Sequence, residues 1–484
     1  MSLLEKELQL ALDQLFMAML VLGLLLLAGK WLRVRIALLG RLFLPSAVIA
    51  GVLALLLGPD VLGRLWATLV DAEAPLATGL FPRELIEVWG GLPGLLISVV
   101  FAALFLGKPI PTLAAIWRHA GPMVAHGQTL AWGQYVIGLG FVLLLLTPAF
   151  DVDPLAGALI EIGFEGGHGT AAGLAETFRS LGFASGADLA LGLATVGVVA
   201  GVLIGTLLVN WGVRSGRLSA EAIQKPDAED ISDHDEREPV PRLARTRSID
   251  PLSIHLGFIA LAIALGWLML EVLVWIESVT WNAGGQGFAL MTHIPLFPLA
   301  MVGGVVVQGL LMRLGHAQSL DRQLINRIAG AALDVLIVSA LATLSLEAIE
   351  THFWTFVVLA AAGIGWSLFG FLLLAPRILG EYWFAKGLAN FGQGLGMTVV
   401  GLLLVRMADP NNRSGALDSF GYKQLLFEPV VGGGLFTAAS LPLIHQFGAL
   451  PVLMGCGVMM TGWLVFGLLA FRNHGQDVRQ TTGD

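Results

Sequence analysis

Two glutamates stand one helical turn apart at the entrance to a glycine-rich stretch of the chain. Glu161 and Glu165 are separated by four residues, so a helical arm would place both carboxylates on one face. Two like charges in apolar surroundings tend to share a proton or a cation. The pair therefore predicts a site for Na⁺ or for a proton. The structural alternatives are an ion pair with Arg179 and a capping role in the loop.

The residues that follow Glu165 are suited to binding an anion. Glycine lets the backbone turn sharply and lets a ligand approach the peptide N–H groups, which can hold a carboxylate. A histidine between glycines has little room to act as a packing residue, so a substrate or gating contact is expected. The predicted substrate-binding residues of this stretch are Gly166, Gly167, His168, Gly169 and Thr170.

A second glycine-rich stretch carries polar groups of the same kinds. Its predicted substrate-binding residues are Gly394, Gly396 and Thr398. The hydroxyls of Thr170 and Thr398 could donate to a carboxylate or bond to the backbone one turn back. Asn390 and Gln393 are candidate polar lining residues, and Asn390 is also predicted to bind the ion.

A further carboxylate lies in an otherwise apolar segment near the end of the chain. Glu428 stands beside the helix-breaking Pro429. Ionisable groups at membrane depth are costly, so they indicate function or a satisfied pair. Glu161, Glu165, Asn390 and Glu428 together form the predicted ion-binding set. For Glu428, an ion pair with Lys423 or Arg406 is the alternative.

The elements that position these residues are membrane helices. Of the 484 residues, 56% are hydrophobic and 13% are charged, and the mean hydropathy is +0.80. A soluble protein carries about 25% charged residues. One spanning helix needs about 20 apolar residues. Such stretches occur near 9–29, 36–58, 91–107, 120–148, 187–213, 250–276, 294–313, 332–348, 352–376, 424–447 and 449–471.

The two glycine-rich stretches, 155–180 and 382–408, are too interrupted to be ordinary spans. Each precedes the last helix of its half, and both are interpreted as hairpins that enter the membrane and return. The halves also share sequence. LISVVFAALFL at 96–106 matches LIVSALATLSL at 336–346 at five of eleven positions, and EGGHGTAAGL at 165–174 parallels QGLGMTVVGL at 393–402.

Basic residues indicate the orientation. With the N-terminus outside and both hairpins returning to the side of entry, 23 of the 27 Lys and Arg residues fall inside. Five spans then end the first half inside, so the second half begins on the opposite side and is inverted. Inverted repeats with discontinuous segments are the architecture of many secondary transporters.

The predicted fold is an all-α integral membrane protein with two inverted repeats of five transmembrane helices, each with a re-entrant hairpin, plus an extra C-terminal helix. The first repeat covers 1–213 and the inverted second repeat covers 251–447. Residues 214–250 form a charged cytoplasmic linker, and 448–484 hold the extra helix and a tail.

These motifs resemble the bacterial sodium/glutamate symporter family. Gly166-Gly167-His168-Gly169-Thr170 is similar to its first signature, and Gly392 to Thr398 is similar to its second, Gly-Phe-Gly-Leu-Gly-Ala-Thr. Pro429-Val430-Val431-Gly432 resembles its Pro-Met-Val-Gly segment. Glu165 stands where that family usually has a small polar residue.

The resemblance implies sodium-coupled symport of glutamate or a related small carboxylate in a bacterial plasma membrane. It also implies a homodimer, surrounded by lipid, whose transport parts move against a scaffold. The alternative is a cation/proton exchanger, or a transporter of a different solute, that uses Glu161, Glu165 and Glu428. No enzyme activity, nucleic-acid partner, cofactor or metal other than the coupling sodium ion is expected, since no P-loop or HExxH motif occurs.

Overall fold

The computed structural model describes residues 3–41, 45–71, 75–108, 110–218, 250–282, 290–316, 319–410 and 412–471, and all regular secondary structure in these ranges is helical. Most of the predicted linker and the predicted tail lie outside these ranges. The helices before the linker are α1 (Leu3–Arg35), α2 (Ala37–Arg41), α3 (Ser46–Leu57), α4 (Arg64–Leu69), α5 (Arg83–Ala103), α6 (Leu113–Phe141), α7 (Thr147–Phe150), α8 (Leu159–Phe164), α9 (Gly167–Gly173), α10 (Ala175–Ser180) and α11 (Gly186–Arg214).

The helices after the linker follow in the same way. They are α12 (Pro251–Val279), α13 (Leu296–Arg313), α14 (Arg322–Ala342), α15 (Leu346–Thr351), α16 (Phe353–Phe369), α17 (Ala375–Ile378), α18 (Trp383–Ala408), α19 (Ala416–Phe427), α20 (Leu435–Phe447) and α21 (Ala449–Ala470).

Eleven helical stretches of the described residues are long and apolar enough to cross a membrane, which confirms the predicted integral membrane protein. The prediction of one continuous span over 424–447 is wrong. Helix α19 ends at Phe427, and the chain is not helical again until α20 begins at Leu435. Gly432 and Gly433 have φ values of 72° and 100°, so they interrupt a stretch that hydropathy alone cannot distinguish from a helix.

The helices pack into two bundles. The first bundle joins α1, α3 and α5 to α12, α13 and α14, so each half of the chain contributes three helices. The second bundle joins α6, α8 and α11 to α16 and α18–α21. The short helix α9 lies between them, because it contacts α5 and α14 on one side and α11 on the other.

Glycines allow the backbones of neighbouring helices to approach closely inside the bundles. A Cβ atom on Gly197 of α11 would lie 2.0 Å from the carbonyl oxygen of Leu395 in α18. On the same face of α11, Gly201 and Gly205 meet the side chains of Val400 and Leu404. Membrane helices gain association energy from such close packing, since lipid tails are as apolar as the side chains that they replace.

Two helices end in the same unusual way before the two glycine-rich stretches. A wide, π-helical turn joins α6 to α7 at Val142–Leu146, and another joins α16 to α17 at Gly370–Leu374. In both cases the next helix has a proline at its second position, which removes one backbone donor. Val142 and Gly370 are 228 residues apart, the same separation as Glu165 and Gln393.

Candidate functional site

The first glycine-rich stretch is broken at Gly167. Helix α8 ends at Phe164, Glu165 and Gly166 keep helical backbone angles, and Gly167 then takes a φ of +71° as α9 begins. Only glycine adopts this left-handed conformation without a steric penalty. The sequence therefore folds as two short helical arms, and Glu165 stands at the break between them.

The second glycine-rich stretch reverses direction inside α18. Gly396 has φ −141° and ψ 40°, and Met397 has φ 62° and ψ −179°, a backbone region that is essentially restricted to glycine. A Cβ atom on Gly401 would lie 2.6 Å from the carbonyl oxygen of Ala389. In a straight helix these residues would be about 18 Å apart, so the chain doubles back here.

The two breaks touch each other. A Cβ atom on Gly167 would lie 1.9 Å from Sδ of Met397, so no larger residue fits at position 167 without displacing the Met397 side chain. Residues 230 positions apart in the sequence thus form one junction at the centre of the molecule. Each predicted glycine-rich motif contributes its irregular residue to that junction.

Glu161 lies in a completely buried site and is fully hydrogen bonded. Its Oε1 accepts from the N–H of Gly432 at 2.7 Å and from the hydroxyl of Thr437 at 2.8 Å. Its Oε2 accepts from the hydroxyl of Tyr135 at 2.6 Å. Three donors from α6 and from the region around α20 therefore hold this carboxyl group. The alternative of an ion pair with Arg179 is wrong, because Arg179 pairs with Glu176 instead.

Glu165, one turn later, is also buried but has no such partners. Its Oε2 has no hydrogen-bond partner among the residues that the structure describes. Its Oε1 lies near Gly394, because a Cβ atom added to that glycine would be 3.6 Å from the oxygen. The same Cβ position lies 3.5 Å from Oγ of Ser367 and 3.7 Å from Nε2 of Gln134, so polar groups from three helices converge there.

The carbonyl oxygen of Gly394 is held by two of these groups. Nε2 of Gln134 donates to it at 2.6 Å, and the hydroxyl of Ser367 donates to it at 3.3 Å. Oε1 of Gln134 has no partner among the described residues. Oxygen atoms are the ligands that a hard cation prefers. The oxygens without partners near Gly394, Oε2 of Glu165 and Oε1 of Gln134, are therefore the groups among the described residues that suit a cation here.

Lys423 is the unexpected member of the site. The count of basic residues places Lys423 in a loop on the inner side of the membrane, yet its side chain is 1% exposed. Its Nζ donates to Oε1 of Gln393 at 2.6 Å and lies 3.7 Å from the centre of the Phe427 ring. The ammonium group therefore lies next to the second glycine-rich motif, since Gln393 directly precedes Gly394.

Glu428 forms a separate polar group with Thr398. Its Oε1 accepts from the hydroxyl of Thr398 at 3.1 Å and from Nε2 of Gln424 at 3.0 Å. Gln424 also donates to the hydroxyl oxygen of Thr398 at 2.6 Å. Thr398 therefore does not bond to the backbone one turn back. Within the described residues, no ion pair within 4 Å joins Glu428 to Lys423.

The remaining predicted residues are buried close to the breaks. His168 contacts the hydroxyl of Thr195 through Nε2 at 3.0 Å, whereas its Nδ1 and the Thr170 hydroxyl have no partner among the described residues. Nδ2 of Asn390 bonds to Nδ1 of His126 at 2.9 Å, and its Oδ1 has no partner within the same set of residues. Gly166 and Gly169 complete the first break on either side of Gly167.

Several residues of the site were missed by sequence reasoning. Gln134, Tyr135, His126 and Ser367 are polar residues inside long apolar helices, and Thr437 follows the glycine run. A polar group within a membrane span is itself a signal of a function or a pair. Outside the two glycine-rich stretches this signal identified carboxylates only, and the amides, hydroxyls and histidine of the other helices were not predicted.

Comparison with known proteins agrees with the motifs. Residues 93–406, which are more than half of the chain and include both breaks, match the sodium/glutamate symporter family. Sodium/glutamate symporters of Escherichia coli (strain K12) and Shigella flexneri are each 25% identical over 367 residues, covering 74% of this chain and 83% of theirs. The resemblance predicted from the glycine-rich motifs is confirmed, and with it a multi-pass plasma-membrane protein. The chain therefore belongs to the sodium/glutamate symporter family.

Proposed function

We propose that this chain is a secondary active transporter that couples the uptake of glutamate, or of a related small carboxylate, to the entry of Na⁺. The observation that carries the proposal is the junction where the two backbone breaks at Gly167 and Met397 meet near the buried Glu165, whose Oε2 has no donor among the described residues. Irregular backbone inside a membrane is tolerated where it is buried in protein or lines a cavity. Family membership and the names of the two relatives support the same function.

The breaks supply the two kinds of group that such a cycle needs. The hydroxyl of Thr170 and Nδ1 of His168 are buried polar atoms beside the first break, and either could donate to a substrate carboxylate. Glu165, Asn390 and Gln134 offer oxygen atoms for Na⁺. Glu161 is better suited to a structural role, because both of its oxygens already accept hydrogen bonds.

Both glycine-rich stretches are proposed to be re-entrant hairpins in two inverted repeats. The close approach of Gly401 to Ala389 supports a hairpin for 382–408. The repeat is supported by the π-helical turns before Pro148 and Pro376, which begin 25 residues before Gly167 and 27 residues before Met397. Each half also contributes three helices to the first bundle. Cysteines placed along either stretch and labelled from one side of the membrane would test the hairpins.

A homodimer is proposed on the family resemblance. Helices α1 and α12 of the first bundle carry exposed large apolar side chains, which suit contact with lipid or with a second copy. Examples are Phe16 and Leu24 on α1 and Trp267 and Trp275 on α12. The mass of the purified protein in detergent, measured by light scattering, distinguishes one copy from two.

The direct test is uptake of labelled glutamate into proteoliposomes. With an inward Na⁺ gradient, we expect accumulation above the outside concentration, and with choline on both sides we expect none. His168→Ala should abolish accumulation if the first break forms the site. Folded protein that accumulates no acidic solute from a panel with either ion gradient would contradict the proposal.

The second candidate function is exchange of Na⁺ for H⁺ without an organic solute. The buried charges of Glu165 and Lys423 are the observation that favours it, because such groups can carry protons across a membrane. Sodium flux against protons in liposomes that contain no carboxylate would favour exchange. Flux that requires the carboxylate would favour symport.

A further inference from the structure

Lys423 is a charged group enclosed by protein. It lies on α19, which packs against α6 and α18, and its side chain is 1% exposed. Oε1 of Gln393 is the only hydrogen-bond acceptor of its Nζ among the described residues. The rings of Phe427 and Phe420 lie 3.7 Å and 5.4 Å away, and they stabilise a cation through their faces. A buried lysine with so few partners keeps its charge only where an opposite charge compensates it, and otherwise loses its proton.

The chain makes room for this side chain. Gly127 of α6 lies directly against it, and a Cβ atom there would be 2.4 Å from Cε and 2.7 Å from Nζ of Lys423. A glycine inside a helix is disfavoured by about 0.5–1 kcal/mol relative to alanine. Its presence at this position therefore serves the placement of the lysine, and the ammonium group is held at one defined location.

The opposite charge on the far side of the second motif is Glu165. The side chain of Gln393 accepts from the ammonium group, and a Cβ atom on the next residue, Gly394, would lie 3.6 Å from Oε1 of Glu165, so two adjacent residues of the second motif border the two groups. Opposite charges inside a protein attract each other beyond contact distance, and no ion pair within 4 Å joins this carboxyl and ammonium group in the described part of the chain. The other ionisable groups that face Lys423 or Glu165 are Glu161, Glu428 and His126.

We infer that Lys423 is a tethered counter-cation for Glu165. Its ammonium group supplies the positive charge that a bound Na⁺ would otherwise supply at this carboxylate. The oxygen atoms around Gly394 form a cation site, and the ammonium group compensates its charge from one side. Lys423 therefore determines how many free cations the central site holds. For the ion stoichiometry of transport, the inference rests on the proposed symport; for ion binding, it stands alone.

Removal of the tethered charge should create a sodium site. The first experiment follows the melting temperature of the purified protein by tryptophan fluorescence, in NaCl and in choline chloride at equal ionic strength. We expect Lys423→Met to melt at a lower temperature than wild type in choline. The rise in melting temperature that sodium produces should be at least about twice as large for Lys423→Met as for wild type. Lys386→Met, which removes a half-buried lysine at the start of α18, is the matched control and should respond as wild type.

Double variants identify which carboxylate is responsible for the additional sodium response. Glu165→Gln combined with Lys423→Met should lose the additional sodium response, because both charges are gone. Glu428→Gln combined with Lys423→Met should keep it. An unchanged response in Lys423→Met, or loss of the response through Glu428 instead of Glu165, would overturn the inference. If Lys423→Met does not fold, the Glu165 double variant should restore folding, and failure to do so counts against the pair.

A change at Gly127 tests the same pair without removing a charge. Gly127→Ala should push the ammonium away from Gln393 and produce a sodium response in the same direction as Lys423→Met. Gly140→Ala, on the same helix with no atom within 4 Å of the added methyl group, is the control and should have no effect. Equal behaviour of the two alanine variants would contradict the proposed placement of the charge.

Transport then measures the consequence for coupling. In proteoliposomes, the sodium dependence of glutamate uptake by Lys423→Met should become steeper by one ion than that of wild type. If wild type transports no carboxylate at all, the proposed function fails, yet the melting experiment still decides whether Lys423 replaces a cation. If wild type transports and the variant shows no added sodium ion, the inference fails and the proposed function stands.

Discussion

Two carboxyl groups one helical turn apart occupy opposite kinds of environment. Around Glu161, donors from Tyr135, Gly432 and Thr437 satisfy both oxygens. Around Glu165, the oxygens face an amide, a hydroxyl and a glycine, and Oε2 has no donor among the described residues. Glu161 is thus fixed by its hydrogen bonds, whereas Glu165, which is also buried, still has an oxygen that can bind a ligand.

The difference indicates a structural role for Glu161 and a binding role for Glu165. A buried polar group with all its partners stabilises one arrangement of helices, whereas a group without partners remains costly until a ligand or a counter-charge arrives. Glu161 connects α8 to α6 and α20 and so positions the break. Glu165, at the break, is the group that a transported ion or the Lys423 charge would satisfy.

The largest expected effect comes from removing the satisfied carboxylate. Glu161→Ala leaves three buried donors without an acceptor, and each unsatisfied buried group costs about 1–3 kcal/mol. We expect a loss of about 3–5 kcal/mol in the free energy of unfolding, measured by denaturation in detergent. Tyr135→Phe removes one donor only and should cost about 1 kcal/mol. Similar losses in the two variants would mean that Glu161 does not organise this region.

The contact between the two breaks should be nearly as sensitive. Gly167→Ala forces an L residue into a left-handed conformation and places its methyl group on Met397, so we expect a loss of about 1–3 kcal/mol and at least about ten-fold slower uptake. Met397→Gly added to Gly167→Ala removes the colliding side chain and should restore part of the uptake. A double variant as inactive as Gly167→Ala would show that backbone strain alone matters.

Two threonines that each donate to a glutamate sharpen the comparison. Thr437→Val removes a donor to Glu161 and the hydroxyl that accepts from the N–H of Gly433, so a loss of about 1–2 kcal/mol is expected in the free energy of unfolding. Thr398→Val removes a donor to the less buried Glu428 and should cost about 0.5–1 kcal/mol. A reversed order would show that the Glu428 group, not the Glu161 group, is the stronger support.

The smallest effect is expected at the surface. Arg64 lies 3.2 Å from Glu347 and 3.7 Å from Asp60, but its side chain is 45% exposed. Exposed ion pairs contribute little, so Arg64→Ala should change the free energy of unfolding by less than about 0.5 kcal/mol. Thermal melting at low and at high salt checks this, and a large change would indicate a role for this contact beyond the ion pair.

Features that depend on neighbouring residues in the sequence were predictable, and those that depend on distant ones were not. Hydropathy located the spans because each helix needs its own apolar run. Glycine composition located both breaks, since Gly167 itself has a positive φ and Met397, which has the positive φ of the second break, directly follows Gly396. The partners of Glu161 lie 26, 271 and 276 residues away, so no local pattern indicates them.

Lys423 and the segment 424–447 show why two predictions from local sequence were wrong. Positive-inside counting treats every lysine as a loop residue, and it cannot detect one that a glycine on another helix accommodates. Hydropathy likewise gives the same value to a helix and to a non-helical apolar run, so the interruption from Glu428 to Gly434 was read as a span. In both cases tertiary packing decided the outcome.

Helix α9 presents almost no side chains to the first bundle. Gly169 and Gly173 face Ile97 of α5, and Leu333 and Phe297 complete the contact. Helices usually lock together because the ridges of one fit the grooves of the other. Here Ile97, Leu333 and Phe297 pack against glycine backbone, so movement of α9 along the first bundle would not require ridges of side chains to pass over each other. We therefore expect a low steric barrier to movement of α9 against α5, which the temperature dependence of the uptake rate would report.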